Sequence, residues 1–202
     1  MVKKMDLIAD VASYQPDTLE YFSSLKSLGV KAVIIKVTQG SKYGDCYLNP
    51  KAKSQVANAR KAGLKVHGYH YARFISTVDA QGEADWFIEC IKKVGLKPES
   101  VMALDVEDAS IPKGDITPLI NAFNARMIKA GYKRLDVYSM ASWFWAERIH
   151  PYALKPKMNL WVANYTTAGK PGLDDVGTWQ FTDKYKGMNL DMSYDFKGWY
   201  TK

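Results

Sequence analysis

Four times along the chain a stretch with helical periodicity runs into a glycine, and a short apolar run follows. The glycines are Gly29, Gly63, Gly95 and Gly131, each two or three residues beyond a lysine (Lys26, Lys61, Lys93, Lys129). A lysine in a last helical turn faces the negative end of the helix dipole, and glycine just past it takes the left-handed conformation that closes the helix. The starts match the stops. Asp17-Thr-Leu-Glu20 has the spacing of a capping box, and Asn49-Pro50 and Thr117-Pro118 put proline at a first helical position. Between Gly63 and Gly95, Ala84, Phe87, Ile88 and Ile91 share one helical face. The apolar runs are Ala32–Val37, Val66–Tyr71, Val101–Val106 and Leu135–Tyr138, with Leu7–Val11 before the first helix.

Short apolar strands alternating with helices every 32 to 36 residues indicate βα units and a parallel sheet. Past residue 150 the texture changes: Leu160–Tyr165, Thr178–Thr182 and Gly187–Met192 read as strands whose connections are too short for full helices. Five βα units followed by three such strands give eight, enough to close a TIM-like α/β barrel. A complete barrel of this kind takes about 250 residues, so a chain of 202 residues suits one whose last three strands lack full helices. An open doubly wound sheet has the same local pattern. Its commonest functional signature, G-x-G-x-x-G after the first strand, is absent.

Composition narrows the function. With 47% hydrophobic and 24% charged residues the chain is globular, and no apolar run approaches the 18 or so residues of a membrane span. The surplus of 28 Lys+Arg over 21 Asp+Glu, net +7, comes with 13 Tyr, 7 Phe and 6 Trp. Such a balance suits nucleic acid or a carbohydrate in anionic surroundings. The lysines are dispersed among acids, without a basic run, zinc finger or RNA-binding aromatic motif, so no nucleic acid is expected. Behind Lys3 and Lys4 there is no apolar stretch, so no secretory signal is expected. Cys46 and Cys90 are then expected to stay free, Cys90 as a small buried residue on a helix. His67 and His70 lie an odd number apart on a strand and face opposite ways, so they cannot share a metal. H-E-x-x-H, paired C-x-x-C and G-x-S-x-G are all missing. Neither a metal nor a cofactor is expected, and His70 reads as a core histidine.

In a closed barrel, chemistry sits where strands end and βα loops begin. The fourth strand splits by alternation into Met102, Leu104 and Val106, which suit packing against helices, and Val101, Ala103, Asp105 and Glu107, which point inward. Asp105 and Glu107 thus stack at the mouth with Cβ atoms roughly 6 to 7 Å apart. Like charges at that range in a partly apolar mouth raise one pKa and leave the other group ionised. Asp10 ends the first strand and Asp191 lies on the last, and these strands are neighbours in a closed barrel. Four acids in a protein of net +7 therefore converge, while alternation turns Asp108 away.

These residues resemble a family. Asp10-Val-Ala-Ser-Tyr-Gln15, Ile34-Ile-Lys-Val-Thr-Gln-Gly40, His67-Gly-Tyr-His-Tyr71 and Ala103-Leu-Asp-Val-Glu107 look like glycoside hydrolase family 25, the lysozymes of bacteria, fungi and phages. So do Leu160-Trp-Val-Ala-Asn-Tyr165, Trp179-Gln-Phe-Thr182 and Leu190-Asp-Met-Ser193. The resemblance implies one catalytic barrel over residues 1–202 with no wall-binding module. It also implies hydrolysis of the β-1,4 bond between N-acetylmuramic acid and N-acetylglucosamine with retention. Glu107 would be general acid/base, Asp105 nucleophile or electrostatic stabiliser, and Asp10 and Asp191 their support. The Cβ spacing leaves a covalent enzyme intermediate and assistance by the substrate's N-acetyl group both open. Ala12, Gln39 and Ser193 stand where many members carry Ser, Glu and Asn. Tyr69, Tyr138, Trp161 and Tyr165 are candidate sugar platforms, with Lys36 and Gln180 as further substrate contacts. Trp86, Trp143 and Trp145 read as packing. The implied partner is bacterial peptidoglycan, approached by a monomer whose positive charge attracts anionic wall polymers. The implied setting is a phage or prophage lysin made in the cytoplasm, or a secreted enzyme without its leader. The alternative is a barrel that binds wall glycan without cleaving it.

Overall fold

The computed structural model describes residues 5–166 and 168–202; the lysines of the amino-terminal reading lie outside them. Eight strands close a barrel: Asp6–Val11 (β1), Val30–Gln39 (β2), Lys65–Tyr71 (β4), Met102–Asp105 (β5), Leu135–Met140 (β6), Asn159–Ala163 (β7), Thr178–Tyr185 (β8) and Met188–Asp195 (β9). A two-residue strand, Tyr47–Leu48 (β3), runs antiparallel along the end of β2. Helices Leu19–Ser27 (α1), Ala52–Lys61 (α2), Thr77–Val94 (α3) and Thr117–Lys129 (α4) cover the first four units; the fifth, Ala141–Trp145 (α5), is five residues long. All four predicted glycine stops have positive φ, between 77° and 96°.

One expectation of direction fails. The sheet is not parallel throughout, because β9 runs antiparallel to both β8 and β1. Only Lys186 and Gly187 separate β8 from β9, both with positive φ (51° and 80°), which is the backbone of a tight hairpin turn. A parallel return needs a crossover of a dozen residues or more. The start of α1 also differs. Thr18, not Asp17, is the N-cap and accepts from the Tyr21 amide at 3.3 Å. Asp17 is held instead by α2, accepting from Ser54 through its side chain and from Asn58 through its carbonyl.

Strand alternation sorts the core into two compartments. Outside the barrel, Val33, Ile35, Met102 and Leu104 pack against helices; α3 contributes Ala84, Phe87, Cys90 and Ile91. Inside, Ile8, Ala32, Ile34, Val101, Ala103, Tyr69, Tyr138, Trp161 and Tyr200 fill the lumen. Each large apolar side chain removed from water contributes about 1.5–3 kcal/mol. Polar side chains gather at the two ends, with Ser193 between them bonded to Trp161. His70 faces outward and is fully satisfied, by the Thr38 hydroxyl and the Glu83 carboxylate, each at 2.8 Å. His67 faces inward. Its Nδ1 accepts from the Val101 amide and its Nε2 meets the Tyr200 carbonyl, and burial lowers its pKa to about 4.

Candidate active site

The carboxyl ends of the parallel strands deliver the predicted acids to one place. Asp10 ends β1 one residue before its last, Asp105 ends β5, and Glu107 follows two residues on. Asp191 lies directly across from Asp10 in the antiparallel β1–β9 pair, a consequence of the reversed last strand. All four line one cavity of about 190 Å³ with Tyr69, Tyr138, Trp161, Tyr165 and Gln180. A second cavity of about 320 Å³ adjoins it, sharing Glu107, Tyr138 and Tyr165 and adding Met140, Ala141, Ser142, Trp145, Ala163 and Asn164. Together they form a groove running outward from Glu107.

The acids are buried to different depths and meet few donors. Burial, then repulsion from Asp191, holds the Asp10 carboxyl well above the ordinary aspartate range. Asp191 is pushed to about 6, chiefly by burial. The two carboxyls face each other across the strand pair, and each acts on the titration of the other. Asp105 is raised by burial and then by Glu107, with Lys36 pulling the other way. Its Oδ1 is buried without a partner. Glu107, half-buried, is raised by burial against the opposing Tyr138 hydroxyl. The mouth therefore holds protons to higher pH than exposed carboxyls do.

The other candidates take more definite parts. Gln180 is buried and already engaged: its Nε2 donates to Asp10 Oδ2 at 2.9 Å, and its Oε1 accepts from Tyr138 at 2.9 Å and Tyr165 at 2.6 Å. Trp161 is 2% exposed and donates from Nε1 to Ser193 Oγ at 3.0 Å. With Tyr69 and Tyr138, also buried, it makes a floor and not an open platform. Lys36 is half-buried over the Tyr71 ring, 4.3 Å from its centroid, and donates to Gln39 Oε1 at 3.0 Å. Asp108 does turn from the pair, lying 3.6 Å from Arg73.

Tyr165, 53% exposed, stands at the rim. Opposite the expectation of packing, Trp145 is 58% exposed and lines the groove, its Nε1 donating to the Gly172 carbonyl at 2.9 Å. Trp143 is buried, with the Arg148 guanidinium 3.4 Å from its ring centroid. Trp86 is buried and bonds to the Tyr47 carbonyl. Sequence reasoning also missed a polar wall beyond Lys36, in which Asp45 accepts from Gln39 and from Arg73, each at 2.8 Å. No short-range signal linked those residues, which come from the end of β2, the loop after it and the loop after β4. Cys46 is exposed and Cys90 buried, both free. Among the described residues no group of three or more His, Cys, Asp or Glu is placed to hold a metal ion, and no helix is long and apolar enough to cross a membrane.

Comparison with known proteins gives a consistent family. The model for glycosyl hydrolases family 25 matches residues 9–189. A lysozyme of Streptococcus phage Cp-7 is 28% identical over 212 residues, covering 98% of this chain and 56% of that protein. An autolytic lysozyme of Clostridium acetobutylicum is 30% identical over 154 residues, covering 76% of this chain and 43% of that one. The chain thus spans about half the length of these curated relatives. The crystal structure of the CTP1L endolysin superimposes with a TM-score of 0.80 at 27% identity, covering 96% of this chain and 68% of that chain.

Proposed function

Because the chain belongs to glycosyl hydrolases family 25, we propose that it is an N-acetylmuramidase, hydrolysing the β-1,4 bond between N-acetylmuramic acid and N-acetylglucosamine in bacterial peptidoglycan. The observation that carries this reading is the convergence of Asp10, Asp105, Glu107 and Asp191 in one cavity, with carboxyl pKa values held up by burial. The positive outer surface favours an anionic wall.

Glu107 is the general acid. It is the least enclosed of the strand-five pair, it borders both cavities, and its raised pKa keeps a proton to give to the leaving glycosidic oxygen. Asp105 lies deeper and its Oδ1 lacks a donor. A buried acceptor left unpaired costs about 1–3 kcal/mol, and the N–H of a 2-acetamido group supplies the missing donor. Held this way, the acetamido oxygen attacks the anomeric carbon as the glycosidic bond breaks, and Asp105 balances the positive charge on the cyclised sugar. Glu107, now ionised, takes a proton from water, which attacks the same carbon and reopens the ring. Two inversions give retention. Lys36 favours the ionised forms of both acids. Tyr165 and the buried aromatic floor shape the groove for sugar rings.

Mass spectrometry of muropeptides released from purified peptidoglycan tests the activity. New reducing ends on N-acetylmuramic acid are expected, appearing as the β anomer by NMR before mutarotation. Binding without reducing-end release places the chain among non-catalytic glycan-binding barrels instead. Reducing N-acetylglucosamine assigns the other bond.

A further inference from the structure

Each of the four glycine stops is followed by an apolar residue and then a lysine: Gly29-Val-Lys31, Gly63-Leu-Lys65, Gly95-Leu-Lys97 and Gly131-Tyr-Lys133. The apolar residues are buried and the four lysines exposed. Helix dipoles do not call for this second set of lysines. The last turns of α1 to α4 already hold Lys26, Arg60 and Lys61, Lys92 and Lys93, and Arg126 and Lys129. Lys31, Lys65, Lys97 and Lys133 lie beyond the helix ends, at or just before the starts of β2, β4, β5 and β6, which are neighbours in the barrel wall. They form a cationic arc at the base.

The middle of that arc holds a cavity of about 360 Å³. Arg60, Lys65, Lys97, Arg134 and Lys202 line it, with Glu99 as the one carboxylate side chain among them. Arg134 is half-buried and fixed in place. Its Nη1 donates to the Glu99 carbonyl at 2.8 Å, its Nη2 donates to the Trp199 carbonyl, and the guanidinium carbon stands 5.4 Å from the Trp199 ring centroid. A guanidinium has five N–H donors, so Arg134 lines the cavity with donors to spare. Elsewhere Lys42, Arg73, Lys93, Arg126, Lys157 and Lys197 form ion pairs at 2.5 to 3.6 Å. Among the described residues, none of the five cavity cations forms one.

Nor do these charges compensate the acids of the mouth. Lys65 and Tyr71 begin and end β4, and Tyr71 is the register partner of Asp105. Six strand steps span roughly 20 Å, more than twice the Debye length of about 8 Å at physiological ionic strength. A cluster of unpaired cations this far from the acids has its counter-charge outside the molecule.

We propose that the base cavity is a second binding site, which takes phosphate groups of a polyol-phosphate polymer of the bacterial wall. Arg134 supplies a planar fork already held in position, and Lys65 and Lys97 supply point charges, a combination suited to phosphate oxygens. Lys31 and Lys133 continue the arc on either side, so a chain of repeating phosphates gains contacts that a single phosphate does not. The mouth, at the opposite end, stays free for glycan. Only the source of the phosphates, a wall, rests on the function proposed above.

The test is a ¹H–¹⁵N NMR titration of the whole chain with three probes: a lipid-free glycerol-phosphate polymer, inorganic phosphate, and a DNA duplex of equal phosphate content. With the polymer, amide shifts are expected at residues 64–67, 99–101 and 134–135, with the mouth unmoved. The polymer is expected to bind at least about tenfold more tightly than inorganic phosphate. Lys65 and Lys97 are exposed and make no side-chain hydrogen bond among the described residues, so the double variant Lys65→Gln/Lys97→Gln keeps the fold. It is expected to weaken polymer binding roughly tenfold. Lys53→Gln/Lys113→Gln removes the same charge from exposed positions at the start of α2 and in the loop after β5, and is expected to weaken it less than about twofold. Equal weakening by both variants overturns the proposal, because the attraction is then spread over the surface. Shifts centred on the mouth, or no shifts, overturn it too. Inorganic phosphate bound as tightly as the polymer makes the cavity a free-phosphate site, and DNA bound as tightly makes it a nucleic-acid site; either result overturns the polymer assignment. In turnover assays, Lys65→Gln/Lys97→Gln is expected to act normally on soluble glycan fragments and on walls stripped of phosphate polymer, and about fivefold more slowly on intact walls. A wild-type protein without turnover on any glycan defeats the hydrolase reading, while the titration still reads the base cavity.

Discussion

The two ends of the barrel both bury carboxylates, and they treat them in opposite ways. At the base, Asp195 closes β9 and collects donors from the carboxyl-terminal turn. It accepts the amides of Trp199, Tyr200 and Thr201 and the Thr201 hydroxyl, all at 2.9 to 3.0 Å. The turn seats Tyr200, fully buried, against His67 in the lumen. At the mouth the acids mainly face one another: Asp10 opposes Asp191, Glu107 raises Asp105, and Asp105 Oδ1 has no donor. A carboxylate given four donors is a structural anchor, because its removal strands each of them. One surrounded by other acids keeps a proton to give away, and its unfilled hydrogen-bonding capacity is left for a substrate.

Two substitutions separate the ends most strongly. Glu107→Gln is expected to lower turnover on peptidoglycan by on the order of 10²–10⁴, the usual contribution of a general acid, while the urea midpoint stays put or rises as acid repulsion is relieved. Asp195→Ala leaves several buried donors unpaired and is expected to cost about 3 kcal/mol or more in urea unfolding, with turnover of the folded protein within a few-fold of normal. The division of labour fails if Glu107→Gln destabilises as much as Asp195→Ala, or if Asp195→Ala abolishes turnover in protein that is still folded.

Asp136 lies between these extremes and sharpens the contrast. It sits on β6 at the base, fully buried, with the Tyr200 hydroxyl at 2.5 Å and Asn159 Nδ2 at 2.8 Å on one oxygen. The other oxygen has no partner, and burial carries its pKa from 3.8 to about 7. A carboxyl with a raised folded-state pKa binds more proton when folded than when unfolded, so stability falls as pH rises from about 4 to about 7 and then levels. The full difference is on the order of 4 kcal/mol. Thermal unfolding from pH 4 to 8 is expected to show this decline, with Asp136→Asn removing part of its slope while the mouth acids keep the remainder. An unchanged slope in that variant places the whole effect at the mouth.

Much of this was legible because local chemistry writes it into the chain. The glycines at 29, 63, 95 and 131 stop helices wherever they occur, and alternation along Val101–Glu107 sorts inner from outer residues without tertiary knowledge. The direction of β9 is written as locally, in the two-residue Lys186-Gly187 turn, yet counting strands to eight passes over it. Gln180 was found as a site residue but assigned to the sugar, since its partners Asp10, Tyr138 and Tyr165 come from three other strands and loops. Asp17 looked like a cap because a capping pattern is local, whereas Ser54 and Asn58, which claim it, are more than thirty residues away.

Trp145 is the instructive miss, and its prediction is the smallest in size. Grouped with Trp143 as packing, it lies two positions along a helix of 3.6 residues per turn, about 200° around from its neighbour. If one is buried under the helix the other must face away, and after a barrel strand that direction is the groove. Its indole nitrogen is tied to the Gly172 carbonyl, so the ring is held in place while its surface stays open beside the cavity that Glu107 borders. A fixed aromatic face of this kind contributes about 0.5–1.5 kcal/mol when a ring packs on it. Trp145→Ala is therefore expected to raise KM for soluble glycan fragments roughly threefold to tenfold, with kcat within twofold and the alkaline limb of the pH profile unmoved. Trp145→Phe should recover most of the loss, since it restores an apolar face without the Gly172 bond. A fall in kcat without a rise in KM would instead tie Trp145 to the acid end of the groove, and the division between a reactive mouth and a passive sugar-binding wall would have to be redrawn.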